Sequence, residues 1–357
     1  MEQSDEPKAI KRRARVGSQS VKVADVARLA GVSTGSVSRT LNEPHKVSER
    51  VRTAVLQAVA DLDWVPHGAG KALASLRTKT IGAIIPTLAN PNSANAINAM
   101  QQRLMEAGYI LLIGCSEYDP DQALVQVRKM LERGVDGLVL LGTSYPESLW
   151  TLLLKQRIPY VSMYGFRRES RHPCVGFDNY RVFVRLTKYV LDLGHRRIAI
   201  IAQNTVNNDR AAARLAGILD TLRENGVEIL PGHLTERQWT IAEGRAGLRA
   251  LLRTPPRPTA VICANDFLAV GALLECEAVG LAVPGDVSIV GCDDAEISAH
   301  LAPGLTTLRV PTAEIGRRTA EYVLGKLSGA APLSVELEVE LVLRGSSAPP
   351  SPSGVPA

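Results

Sequence analysis

No stretch of this 357-residue chain approaches the roughly 20 consecutive apolar residues of a membrane-spanning helix. The N-terminus is polar and basic, without an apolar signal core. These two absences lead to the expectation of a cytoplasmic protein with no membrane partner. Five cysteines, at 115, 174, 263, 276 and 292, are odd in number and widely separated, with no CxxC pair. That spacing argues against a zinc or redox site and for buried free thiols in a reducing compartment. The six histidines, at 45, 67, 172, 195, 233 and 300, include no i, i+4 metal-binding pair, and none stands in a nucleophile–base arrangement. Gly31 to Gly35 spells G-x-S-x-G, but a helical pattern enters the turn where a hydrolase nucleophile needs a strand. Gly68-Ala69-Gly70-Lys71 is followed by Ala72, not by the Ser or Thr that would hold magnesium in a phosphate loop. Neither an enzyme activity nor a metal or cofactor is expected.

Positive charge is unevenly spread. Residues 1–79 carry 14 basic and 8 acidic side chains, a net +6, whereas residues 80–357 carry 27 and 28, a net −1. A polyanion would therefore bind at the N-terminal end. That end contains VKVADVARLAGVSTGSVSRTL (21–41). Val26, Ala27 and Ala30 share one helical face, and Gly31 can leave the helix in a left-handed conformation. Ser33 can cap a second helix, on which Val37 and Leu41 continue the apolar face. Thr34, Gly35, Ser36, Ser38 and Arg39 occupy the other face, and all are small or hydrogen-bonding residues suited to a major groove. A third helix with Ser48 as its cap presents Val51, Ala54, Val55, Ala58 and Leu62 to close a small core. The pattern predicts a helix-turn-helix over 21–65. A three-helix surface module without a nucleic-acid role would show the same local pattern.

Residues 1–20, around KRRAR, read as a disordered basic arm. From 81 to 343, short β-branched runs alternate with amphipathic helical runs, for example IGAIIP then 93–107, and RIAIIA then 211–225. Such alternation predicts parallel sheets wrapped by helices, with ligands beyond the carboxyl ends of the strands, and the length suits two such units. The Pro- and Ser-rich stretch 345–357 reads as a disordered tail.

VADVARLAGVSTGSVSRTLN, then VSERVRTAVLQAVADLDWVP, then KALASLRTKTIGAIIP resemble the lactose and galactose repressor (LacI/GalR) family. The resemblance continues through DGLVLLGT, VGFDN, LGHRRIAII, RLAG, CANDFLAVGALLE and VPGDVSIVGCDD, so it covers all but the arm and the tail. It implies an α/β fold with a three-helix headpiece, a hinge helix or linker over 66–79, and a two-lobed core over 80–344 like that of periplasmic sugar-binding proteins. Chain crossings between the lobes are expected near 162–176, 290–303 and 308–312.

The resemblance places base reading at Thr34 and Gly35, with Ser36 and Arg39 nearby. Arginine can bond bidentately to guanine, although a phosphate contact is an equal alternative for Arg39. Leu73 matches the family's minor-groove wedge, an apolar side chain that unstacks a base step. His67 and Gly70 depart from the usual asparagine and alanine, and glycine costs about 1 kcal/mol of helix propensity. Effector contacts are implied at Arg214, Asn265 and Asp293, and also at Asn90 and Tyr164. An Arg that clamps oxygens and an Asp that accepts from hydroxyls suit a polyhydroxylated ligand, while a structural ion pair is the alternative for Arg214 and Asp293. The aromatic residues that many relatives carry after Asn-Pro are absent at Asn92-Ser93. VGFDN and GALLEC resemble the gluconate-type repressors, which points to a sugar acid.

The expectation is a homodimeric, sequence-specific repressor of a carbohydrate-use operon. Its partners would be a palindromic double-stranded operator and a small effector, probed best among sugars and sugar acids. A solute-binding protein or a sugar-processing enzyme on the same core is the competing expectation.

Overall fold

In a computed structural model of the chain, residues 21–65 and 77–351 are described. The chain divides between Leu76 and Arg77 into two compact units.

In the first unit, α1 (Val23–Leu29) and α2 (Thr34–Asn42) are separated by a turn at Gly31, whose φ of +65° is the left-handed conformation that glycine permits. Ser33 caps α2, its Oγ accepting from Ser36 N at 3.1 Å. A short 3-10 turn (Pro44–Lys46) leads to α3 (Glu49–Asp61). Ser48 occupies the N-cap position of α3, but its hydroxyl makes no capping hydrogen bond. Val26, Ala27, Val37, Val55 and Ala58 are buried at the centre, with Leu41, Val51 and Leu62 packed around them. The apolar spacing read from the sequence is thus the spacing that closes this core.

The second unit contains two six-stranded sheets. In chain order the elements are β1 (Thr80–Ile85), α4 (Pro91–Glu106), β2 (Ile110–Cys115), α5 (Pro120–Glu132), β3 (Gly137–Leu141), α6 (Glu147–Gln156), β4 (Tyr160–Met163), β5 (Cys174–Gly176), α7 (Asn179–Asp192), β6 (Ile198–Gln203), α8 (Asp209–Glu224), β7 (Leu234–Arg237), α9 (Ile241–Leu251), β8 (Ala260–Cys263), α10 (Asp266–Ala278), β9 (Ser288–Asp293), α11 (Glu296–His300), β10 (Thr306–Arg309), α12 (Thr312–Leu327), β11 (Val335–Glu336) and β12 (Glu340–Val342). The first sheet runs β11-β5-β4-β3-β1-β2 and the second β12-β10-β9-β8-β6-β7. All pairings are parallel except β10 with β12. Every residue of β3 and of β8 is buried, as expected of central strands covered by helices on both faces. Gly316 on α12 lies against α4 so closely that a Cβ there would stand 2.0 Å from Ala96 O.

The chain passes between lobes after β5, between β10 and α12, and between β11 and β12. Of the expected crossings, 308–312 holds one. The stretch 162–176 stays in the first sheet and the chain crosses just after it. The stretch 290–303 stays in the second lobe, where Ser298 Oγ donates to Asp266 Oδ2 at 2.7 Å. The crossing at 337–339 went unread because its flanking strands have only two and three residues.

Two boundaries shift. Residues 77–79, assigned to the linker, are tied to the core, with Asp136 accepting from Thr78 N and Lys79 N, both at 2.9 Å. Residues 345–351, assigned to a disordered tail, are described, and 346–348 are tied to the second sheet beside the starts of β9 and β10. Ile289 N donates to Ser346 O at 2.8 Å, and buried Ser346 Oγ accepts from Thr306 N at 2.8 Å. His195 Nε2 lies 2.9 Å from Ala348 O. Serine hydroxyls satisfy strand backbone here, a role that a Pro- and Ser-rich composition hides. The hinge helix expected over 66–76, the arm 1–20 and residues 352–357 lie outside the described residues.

Candidate effector cleft and DNA-reading face

Thr34, Gly35, Ser38 and Arg39 are exposed together on α2, opposite the buried Val37 and Thr40. Arg39 Nε donates to Gly35 O at 3.3 Å, so its guanidinium lies back along the first turn. A Cβ at position 35 would meet only Ser33 Oγ at 3.7 Å and Arg39 Nη2 at 3.8 Å, so glycine leaves this surface open. Ser36 differs from the others. It is half-buried, and its Oγ lies 3.0 Å from Ser33 Oγ within the cap, which leaves it less available to a ligand. Leu73 lies outside the described residues.

In the core, Asn90, Tyr164, Arg214, Asn265 and Asp293 all line one cavity of about 50 Å³. It lies beyond the carboxyl ends of strands from both sheets. Leu141, Gln203 and Asp293 are the last residues of β3, β6 and β9, and Tyr164 and Asn265 follow β4 and β8 closely. Asn90 caps α4 by accepting from Asn92 N at 3.0 Å. Tyr164, at φ +66°, donates its hydroxyl to Asn92 O, and burial pushes its phenol well above the usual range.

Arg214 is buried and held from two sides. Its Nε donates to Asn179 Oδ1 at 2.8 Å and its Nη1 to Ala264 O at 2.8 Å. Nη1 stands 4.0 Å from Asp293 Oδ1, a separation that leaves the pair short of a hydrogen bond. Desolvation pushes the Asp293 carboxyl up to about 7 although Arg214 pulls it down. Asn265 caps α10, its Oδ1 accepting from Leu268 N at 3.0 Å, while its buried Nδ2 has no partner. A buried unpaired donor costs about 1–3 kcal/mol, so this amide is poised for an acceptor oxygen. Arg214, Asp293 and the Asn265 amide together offer two donors and one acceptor, a set suited to hydroxyl and carboxyl oxygens.

Residues that sequence reading missed complete the walls, namely Tyr118, Gln203, Asn208 and Arg210. Tyr118, Gln203 and Arg210 also join the lobes, together with Thr143, Ser144 and Asp209. Thr143 donates from its N at 3.0 Å and from its Oγ1 at 2.7 Å to Asp209 Oδ2, and Asp209 N donates to Ser144 Oγ at 2.9 Å. Arg210 Nη1 donates to Leu141 O at 3.3 Å, and Gln203 Nε2 to Tyr118 Oη at 3.3 Å. The N-cap signal at Asn208 is legible in NNDRAAARLAG, and Asn208 Oδ1 accepts from Ala211 N at 3.3 Å, but the partners of Asp209 and Arg210 across the cleft are not legible there. Drug-sized ligands take roughly 300–1,000 Å³, so entry here requires these contacts to part.

Among the described residues, no group of three or more His, Cys, Asp or Glu is placed to hold a metal ion, and no helix is long and apolar enough to cross a membrane. Cys174, Cys263, Cys276 and Cys292 are buried free thiols, and Cys115 is half-buried.

Two family models match, the lacI family of bacterial regulatory proteins over residues 22–67 and the periplasmic binding protein-like domain over residues 187–347. The HTH-type transcriptional repressor CytR of Escherichia coli K12 is 31% identical over 325 residues, 90% of this chain and 95% of CytR. A LacI-family transcriptional regulator from Silicibacter pomeroyi superposes with a TM-score of 0.85 at 27% identity, covering 91% of this chain and 99% of that one. The lac repressor dimer bound to operator and an anti-inducer gives 0.82 at 27% identity, covering 92% and 100%. With a helix-turn-helix headpiece, a two-lobed core and this similarity along nearly its whole length, the chain belongs to the LacI family of bacterial regulatory proteins and is a DNA-binding transcriptional regulator.

Proposed function

We propose that this protein is a cytoplasmic homodimeric repressor of a carbohydrate-use operon whose grip on a palindromic operator is set by a small polyhydroxylated effector, with sugar acids the first class to test. The observation that carries the reading is the convergence of Asn90, Tyr164, Arg214, Asn265 and Asp293 on one interlobe cavity, with the Asn265 amide unpartnered. Arg214 supplies a fixed cation for a carboxylate or hydroxyl oxygen, and Asp293 accepts from hydroxyls. Thr34 and Arg39 carry direct readout, and Gly35 contributes close backbone approach. Ser36 supports them through the helix cap. Leu73 serves as the minor-groove wedge. Two headpieces meeting two half-sites require a dimer.

An effector changes operator affinity only through its differential affinity for the two lobe arrangements. The thermal-shift screen that tests the reading uses sugars, sugar acids and phosphosugars against the full chain, because a ligand that binds only the folded state raises its melting temperature. A hit lost in Arg214→Ala supports the cleft. A hit unaffected by both Arg214→Ala and Asp293→Asn removes it.

A further inference from the structure

A second and larger cavity, of about 740 Å³, lies between the same two lobes against the loop that joins β4 to β5, and shares Arg210 with the first. Its rim carries Arg167, Arg168 and Arg171 from that loop and Arg210 from α8, over a floor that includes Ala213 and Ala216. The three loop arginines make no ion pair among the described residues, and all three are exposed. The carboxylates on the same rim are mostly committed elsewhere. Asp178 caps α7 through Tyr180 N and Arg181 N, and Asp209 holds Thr143. Only Glu169 is unengaged.

The loop is pinned, which distinguishes it from a solvated charge run. Phe166 N donates to Phe177 O at 3.0 Å, and Ser170 Oγ donates to His172 O at 2.7 Å. The His172 ring stacks on buried Trp150 with centroids 3.9 Å apart and planes 15° from parallel, and its Nδ1 lies 2.9 Å from Tyr160 Oη. Three guanidiniums therefore start from a fixed base beside a concave space whose volume falls in the small-ligand range. Four arginines outnumber the three carboxylates on this lining, and two of those carboxylates already accept hydrogen bonds, so the balance favours an anion, and guanidinium forks fit the oxygens of a phosphate.

We infer that this cavity is a second ligand site, for a small molecule bearing a phosphate group, distinct from the cavity lined by Arg214, Asn265 and Asp293. Arg210 connects the two. Its Nη1 is shared between Asp209 Oδ1 at 2.9 Å and Leu141 O, so an anion that draws it outward loosens one of the contacts between the lobes. The phosphate ligand would thus act as a co-effector, whatever occupies the cleft.

The test is isothermal titration of the full chain with inorganic phosphate, glucose 6-phosphate and glucose at fixed ionic strength. Parent protein is expected to bind both phosphate compounds, and glucose 6-phosphate more tightly if the ligand is an ester and not the free ion. The triple variant Arg167→Ala, Arg168→Ala, Arg171→Ala should weaken both at least tenfold with an unchanged melting temperature. Arg168→Glu gives the same test with one substitution. Arg214→Ala should leave phosphate binding within twofold of the parent. No binding of either phosphate compound overturns the inference, as does a triple variant that binds like the parent. Loss in Arg214→Ala alone places the phosphate in the cleft, which overturns the second site and leaves the proposed function standing. Loss of non-specific DNA binding in the triple variant, with phosphate binding intact, overturns it in favour of a polyanion surface.

Discussion

Asp209 and Thr143, on opposite lobes, are joined twice, since one carboxylate oxygen accepts both the backbone N–H and the hydroxyl of Thr143. Through Arg210, the residue after Asp209, the same contact borders both cavities. Closure of the core is therefore built from a few polar bonds at the mouth of the cleft, which an effector can trade for its own.

Asp209→Ala removes both acceptors and frees Arg210. It should lower stability by about 1–3 kcal/mol, the range for unsatisfied partly buried polar groups. Amide exchange at Gly142 to Ser144 should quicken while β3 and β8 stay protected. Uniformly faster exchange over both sheets would mean that Asp209 supports the fold and not the closure.

Gly316→Ala places a methyl 2.0 Å from Ala96 O, on the seam between α4 and α12. Backbone cannot retreat as a flexible side chain can, so the expected cost is about 1–3 kcal/mol in a denaturant titration. A neutral substitution would contradict the closeness of that helix pair.

A carboxyl held at about 7 by burial has a defined pH signature. The unfolded Asp293 titrates near 4, so between that pH and 7 the folded state holds its proton more tightly. The contribution of Asp293 is present below pH 4 and lost as pH rises through 7. Asp293→Asn should therefore flatten the stability profile in that window, gaining on the parent by about 2–4 kcal/mol above pH 8. Parallel profiles for parent and variant would show that Asp293 ionises normally.

On the headpiece, Arg39→Ala should cost about 1–3 kcal/mol and relax preference at one base pair if Arg39 reads guanine. Salt titrations separate this from a phosphate contact, whose loss weakens all sequences alike and lowers the log–log salt slope by about one.

Much of this architecture is legible in the sequence because its signals are local. Gly31 and Ser33 mark the turn and cap, and the alternation of β-branched and amphipathic runs marks parallel sheets under helices. Arg214, Asn265 and Asp293 were found through matching segments and prove to face one cavity. Asp209 and Arg210 were not found, because their meaning lies in Thr143 and Leu141, more than 60 residues away and on the other lobe. Ser346 was hidden for a similar reason, since its partners Ile289 and Thr306 are long-range backbone groups.

The central claim, that effector response is read through Arg214 without any part in DNA binding, is tested by an operator titration with and without the thermal-shift ligand. Arg214 bonds to Asn179 and Ala264 and faces Asp293. For Arg214→Ala the account predicts operator affinity within about threefold of the parent in the absence of ligand, and no change when ligand is added. Asp293→Asn should keep a reduced response, because the amide retains one acceptor oxygen. An Arg214→Ala protein that responds to ligand like the parent would contradict the account.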